Sequence, residues 1–161
     1  MFDNEGIARY LDAIFNQPGR TNDFRQLKHT LYSVAVDLDT GKAVTFGGPG
    51  QEHVPISKAV QASAALPGLF PPVEIDGHYY VDGALKKTLN ASLALEDGAE
   101  LVIGINPLVP YDADAANRRA GHRSKVDMEK LIEGGLPVVL SQTFRTLIHS
   151  RMHAGLEKYA A

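Results

Sequence analysis

The chain contains no cysteine, which excludes disulfides, thiolate chemistry and Cys-ligated zinc and accords with a cytosolic place. It also lacks a positive field: 16 Lys and Arg stand against 19 Asp and Glu, a formal net charge of −3. With no basic run interleaved with aromatics, nucleic acid is not an expected partner. No stretch approaches the ~20 consecutive apolar residues that span a bilayer. The first residues, M-F-D-N-E-G-I-A-R-Y, are acidic and carry no apolar segment of the secretory kind. A soluble or peripheral protein is expected, cytoplasmic or at a membrane surface rather than secreted. Internal repeats and low-complexity tracts are missing as well. What is present is 161 residues, 44% apolar and 22% charged, enough for one domain with a real core.

The most informative stretch runs from Ala59 to Leu85. Ala59 to Ala65 is almost all small side chains, which on a helix let another backbone approach closely. Pro67, Pro71 and Pro72 fix φ and cannot donate to a ladder, while Gly68 relieves the turn between them. Leu66, Leu69 and Phe70 are thereby held on a stiff loop and are candidates for the wall of a substrate pocket; an ordinary core corner is the plainer alternative. Val73 to Ile75 and His78 to Val81 flank Asp76-Gly77, a two-residue turn signal that joins antiparallel strands. The second strand delivers Asp82 to its end, and Gly83-Ala84 leave room for a backbone or ligand to come close. A carboxylate so placed is a candidate base; alone, D-G-A equally describes a turn carboxylate bonded to its own backbone.

The block A-S-A-A-L-P-G-L-F-P-P-V followed by Y-V-D-G-A resembles the second half of the patatin-like phospholipase domain, over roughly the first two thirds of the chain. The resemblance implies a three-layer α/β/α fold, here with β-hairpins, and a lipid acyl hydrolase working through a Ser-Asp dyad. It assigns the catalytic aspartate to Asp82, with Gly83 and Ala84 completing the motif. It implies a lipid substrate, contact with a membrane surface, and no metal or organic cofactor. The family's serine sits in a G-x-S-x-G elbow and its oxyanion donors in a Gly-rich loop, both upstream of this block. Ser33, Ser57, Ser63, Ser92, Ser124, Ser141 and Ser150 all lack that Gly spacing. The chain is therefore read as the C-terminal part of a longer enzyme, inactive alone and missing the N-terminal half of its domain, with Met1 an internal start or truncation point. The rival reading is a non-catalytic truncated relative acting as a lipid- or protein-binding module.

Taken in order, Ile7, Tyr10, Leu11, Ile14 and Phe15 recur at helical spacing after Asp3 or Asn4, and Pro18-Gly19 ends the pattern. A short turn is expected at Asp23 to Leu27. Leu31 to Asp37 and Lys42 to Phe46 read as a hairpin across Asp39-Thr40-Gly41. The cluster Gly47-Gly48-Pro49-Gly50 reads as a loop, and Pro55 opens the helix that leads into the central block. After Asp82, Asn90 and Gly98 bracket a helix from Ala91 to about Asp97. Leu101 to Ile105 reads as a strand buried on both faces, reached by a parallel crossover.

The expected organisation is α/β: residues 1–107 as the C-terminal part of the patatin-like domain, 108–123 as a surface loop, and 124–161 as a helical C-terminal extension. In that extension a short helix is expected from Lys125 to Glu133 and a longer one from about Pro137 to Tyr159. Leu136, Leu140, Phe144, Leu147, Ile148, Met152 and Leu156 would fill one face of the longer helix. Arg145, Arg151 and Lys158 on the same helix suit anionic lipid, although core or domain contact is the commoner use of such a stripe. His149 and His153 have metal-ligand spacing, but no glutamate lies between them and Arg151 does, so no metal site is assigned.

Overall fold

A computed structural model describes residues 3–87, 89–105 and 135–157. The chain divides into two compact units, Met1–Lys86 and Lys87–Ala161. The expected surface loop at 108–123, the short helix from Lys125 to Glu133 and the 107/108 boundary lie outside the described residues.

The first unit opens with α1, Glu5–Phe15. Ile7, Leu11, Ile14 and Phe15 are half-buried along one face, whereas Tyr10, included in the apolar pattern, is 67% exposed. Asn4 stands at the cap position without capping. Its side chain is buried and accepts a hydrogen bond from Gln61 Nε2, while Asp3 Oδ1 takes the Glu5 N–H at 2.8 Å.

A four-stranded, wholly antiparallel sheet follows, built from β1 (Ser33–Asp37), β2 (Ala43–Phe46), β3 (Val73–Ile75) and β4 (His78–Asp82) in the order β2-β1-β4-β3. Both expected hairpins form. At the second, Asp76 and Gly77 have φ of 52° and 80°, the pair of positive angles that a type I′ turn requires and that Asp-Gly supplies cheaply.

Helix α2, Ile56–Ser63, lies on β1 and β4 and packs along α1. Ala59, Ala62 and Ala65 have no exposed surface, so the small residues let α2 approach the sheet closely. Against them pack Ala35, Phe46, Tyr80, Val73 and Ile75, with Val54, Ile56 and Phe24 closing the core. The Phe46 and Tyr80 rings meet edge to face at 5.2 Å. The alternate strand residues Val34, Val36 and Val81 are buried too, so the sheet is apolar on both faces, as a layered α/β architecture demands.

Pro55 offers α2 no capping side chain. Asn22 supplies the cap from a distant loop: its backbone oxygen accepts from Ile56 N at 3.0 Å and its Oδ1 from Ser57 N at 2.8 Å. Asn22 Nδ2 in turn donates to Ser57 Oγ and Asp12 Oδ1.

The second unit contains α3 (Ala91–Glu96), followed by Gly98 at φ +90°, and α4 (Gly135–Glu157). The reading of Leu101 to Ile105 as a buried parallel strand is wrong. No strand forms there, and Leu101, Ile103 and Ile105 are 79%, 80% and 81% exposed. An apolar run needs a ladder partner to become a strand, and every pairing among the described residues is antiparallel and excludes this run. In α4 the predicted stripe is narrower than expected. Ile148 is buried and Leu140, Phe144 and Met152 half-buried, a row at four-residue intervals, but Leu136 and Leu147 face solvent. Among the described residues no helix is long and apolar enough to cross a membrane.

Candidate functional site

Asp82 is the last residue of β4 and pairs with Ala35 of β1. Its backbone N–H donates to the Ala65 carbonyl at 3.0 Å, which ties the strand end to the chain leaving α2. The next residues, Gly83–Leu85, turn into a single 3-10 turn, and Asp82 Oδ1 caps it by accepting from Ala84 N at 2.8 Å. The position of Gly83 explains the D-G pair. A Cβ there would lie 2.4 Å from the Val34 carbonyl oxygen and 2.8 Å from its carbon, so any side chain would force β1 away from Asp82. The room that the sequence indicated behind Asp82 is filled by backbone.

Only one carboxylate oxygen is engaged: Oδ2 makes no hydrogen bond or ion pair among the described residues. Burial pushes the Asp82 carboxyl above its ordinary range, and the single N–H from Ala84 does not offset it. A desolvated carboxylate with one open oxygen is a stronger base than an aspartate in water.

Leu66, Leu69 and Phe70 are half-buried on the loop that begins one residue after Ala65, and the amides of Leu69 and Phe70 both donate to the Leu66 carbonyl. The fold thus brings the root of this loop beside Asp82. No serine bonds to Asp82 among the described residues. Ser57 is buried against Asn22, Ser33 Oγ donates to the Ala59 carbonyl, and Ser92 Oγ accepts from Lys87 Nζ.

At the other end of β4, His78 Nδ1 lies 3.3 Å from Asp37 Oδ2 and 3.6 Å from Asp39 Oδ2, three groups close enough together to hold a cation. Sequence reading missed this group; the only signal was the D-x-D of one hairpin loop and the histidine after the other. Asp37 Oδ1 also accepts from Asp39 N and Thr40 N. Burial works to raise the Asp37 carboxyl, but these bonds, the Thr40 side chain and the His78 charge together bring it below its usual range. Those bonds account for the cluster as a clasp on the β1–β2 loop. A second pair, His53 Nε2 to Asp76 Oδ2 at 2.7 Å, holds the type I′ turn from outside. On α4, Arg145 and Arg151 are exposed and His149 half-buried, while Lys158 and the side chains of His153 and Leu156 lie outside the described residues.

Comparison with known proteins bears on the same stretch. The chain is 33% identical over 104 residues to an uncharacterised NTE-family protein of Mycobacterium bovis and, to the same extent, to those of two Mycobacterium tuberculosis strains. The alignment covers 63% of this chain and 27% of each relative, so the chain spans well under half the length of the proteins it matches. The profile of the patatin-like phospholipase family matches residues 1–95, which include the whole hairpin and Asp82. With more than half its length inside that match, the chain belongs to the patatin-like phospholipase family, a family of lipid hydrolases.

Proposed function

We propose that this chain is the base-bearing part of a lipid acyl hydrolase that cleaves a carboxylic ester of a phospholipid or acylglycerol. What supports the reading is Asp82: a half-buried carboxylate at a strand end, one oxygen fixed by Ala84 N and the other unengaged among the described residues. In this scheme a serine from the preceding part of a longer protein donates its Oγ proton to Asp82 Oδ2 as the oxygen attacks the ester carbonyl. The tetrahedral oxyanion is held by N–H donors of a Gly-rich loop, also from that part. Collapse leaves an acyl-serine, and the leaving alcohol takes the proton from Asp82. Water then attacks the acyl-serine, again giving its proton to Asp82, and fatty acid is released as the serine regains a proton. Leu66, Leu69 and Phe70 wall the acyl chain, and contact with a membrane surface supplies the substrate.

The test uses the longer protein. A positioned base contributes ~10²–10⁴ in rate, so Asp82→Asn should lose at least a hundredfold in ester hydrolysis while remaining folded. Asp76→Asn, at an exposed turn position that tolerates Asn, should keep nearly full activity. Retention of a tenth or more of the activity by Asp82→Asn would remove Asp82 from the chemistry.

One observation favours a second reading, a non-catalytic lipid- or protein-binding module: no serine in the 161 residues has the elbow spacing. The nucleotide sequence upstream of Met1 separates the two. An in-frame G-x-S-x-G preceded by a Gly-rich loop supports the hydrolase, and its absence supports the module. Under either reading the 161-residue chain alone should hydrolyse no ester above background.

A further inference from the structure

The cleft at the N-terminal end of α2 is a site of different character from the Asp82 end. It has a volume of about 520 Å³, and Phe15, Leu27, Leu31 and Ile56 make its apolar surface. Arg20 and Lys28 also line it; both are solvent-exposed, and neither forms an ion pair among the described residues. A neighbouring hollow of about 370 Å³ shares Phe15, Arg20, Thr21 and Gln26 and is otherwise mostly polar, with Asn16, Asn22, Asp23 and His53. An apolar trough therefore runs into a polar one, with Arg20 in both.

We infer that this cleft binds a single-chain fatty-acid anion, the acyl chain along Phe15, Leu27, Leu31 and Ile56 and the carboxylate between Arg20 and Lys28. The choice of ligand rests on the lipid-ester reading, since fatty acid is the product of that reaction; the site itself does not. Three observations carry it. The volume, that of an open cleft, falls in the ~300–1,000 Å³ range of clefts and cavities that take one small molecule. Arg20 and Lys28, neither in an ion pair among the described residues, line the same cleft as these apolar side chains in a chain whose net charge is −3, so their sharing it does not follow from a general excess of positive charge. The cleft also lies at the opposite end of α2 from the chain segment tied to Asp82, a separation of roughly 12 Å for an eight-residue helix at ~1.5 Å per residue. A ligand in the cleft is thus clear of the hydrolytic position.

The experiment is calorimetric titration of the 161-residue chain with decanoate below its micellar concentration, beside decanol, acetate and lysophosphatidylcholine. Saturable one-to-one binding of decanoate is expected, at least tenfold tighter than decanol, with no binding of acetate. The double variant Arg20→Gln/Lys28→Gln, at exposed positions, should reduce decanoate affinity to the decanol level. Leu31→Asp, at a 44% exposed position, should abolish binding with an unchanged circular dichroism spectrum. Asp82→Asn should bind as the wild type does, which keeps this test distinct from that of the hydrolase, read in ester turnover. Absence of saturable binding, indifference to both cleft variants, preference for lysophosphatidylcholine, or loss of binding in Asp82→Asn would each overturn the assignment.

Discussion

Gly83 approaches Val34 so closely that a Cβ on it would sit 2.4 Å from the Val34 carbonyl oxygen. The contact is backbone to backbone, so no rotamer change relieves it. Gly83→Ala should therefore destabilise the fold by about 1–3 kcal/mol, the usual cost of overpacking, and displace Asp82 from the end of β4. Gly6, in an exposed turn of α1 with nothing within 4 Å of its Cβ position, is the control. Gly6→Ala should stabilise by roughly 0.5–1 kcal/mol through helix propensity. Denaturant midpoints for both variants check the pair, and a neutral Gly83→Ala would refute the close approach.

Asp82 and the aspartates of the loops should respond to pH with opposite sign. The Asp82 carboxyl is raised by burial, so the folded state resists its ionisation. Its penalty is absent when both states are protonated and appears as pH rises through the carboxylate range. Asp82→Asn should then melt higher than wild type at neutral pH, and the gap should close toward pH 3. A melting temperature lower than wild type at pH 7 would mean that the charge is a structural asset.

Asp23 behaves the other way. Its side-chain and backbone bonds with Arg25 hold its carboxyl at about 2, and Asp37 is lowered as well. A depressed folded value gives stability that is present above the unfolded value of ~3.9 and is lost as pH falls toward the folded one. The melting temperature of wild type should fall relative to that of Asp23→Asn/Asp37→Asn between about pH 4 and about pH 2. Parallel curves for the two proteins across that window would remove these groups as its cause. Asp23 meets the exposed Arg25 on a loop, so its share of the effect should shrink in high salt, whereas the buried Asp37, bonded to the backbone N–H groups of Asp39 and Thr40, should be little screened.

The parts of this fold that local chemistry fixes were legible in the sequence. Asp76-Gly77 announced its turn because few residue pairs accept two positive φ angles, and both angles are there. The place of Asp82 at the end of a strand was legible through the same hairpin. Asn22 was not: it lies 35 residues from the Ser57 amide it caps, and nothing in either neighbourhood signals the other. Leu101 to Ile105 was misread because composition tells what a segment would gain from burial, not whether a strand stands beside it. Tyr10 sits at helical spacing yet faces solvent, since an amphipathic phenol satisfies the pattern without needing the core.

The Asn22 cap yields a prediction of its own. Asn22→Ala removes the Oδ1 acceptor for Ser57 N and leaves Ser57 Oγ without its donor. The cost should be about 1–2 kcal/mol, the upper part of the range for lost helix caps. Asn22→Asp, which keeps the acceptor but places a charge near Asp12, should recover only part of it. Chemical denaturation of the two variants gives the comparison, and a loss below ~0.5 kcal/mol for Asn22→Ala would show that α2 holds its first turn without help.

Leu101, Ile103 and Ile105 alternate along an exposed run that has no ladder partner among the described residues. Such a run offers apolar side chains together with backbone groups that no described strand engages, the combination by which strands recruit other chains. The 161-residue chain should therefore self-associate in a concentration-dependent way. Ile103→Lys, which puts a charge in the centre of the run, should shift it toward monomer without changing its melting temperature, since the side chain it removes is 80% exposed. Sedimentation velocity over a range of concentrations reads both effects. A wild-type chain that stays monomeric throughout, with Ile103→Lys indistinguishable from it, would mean that these side chains are sheltered in solution, and a lowered melting temperature in the variant would place the shelter within the chain itself.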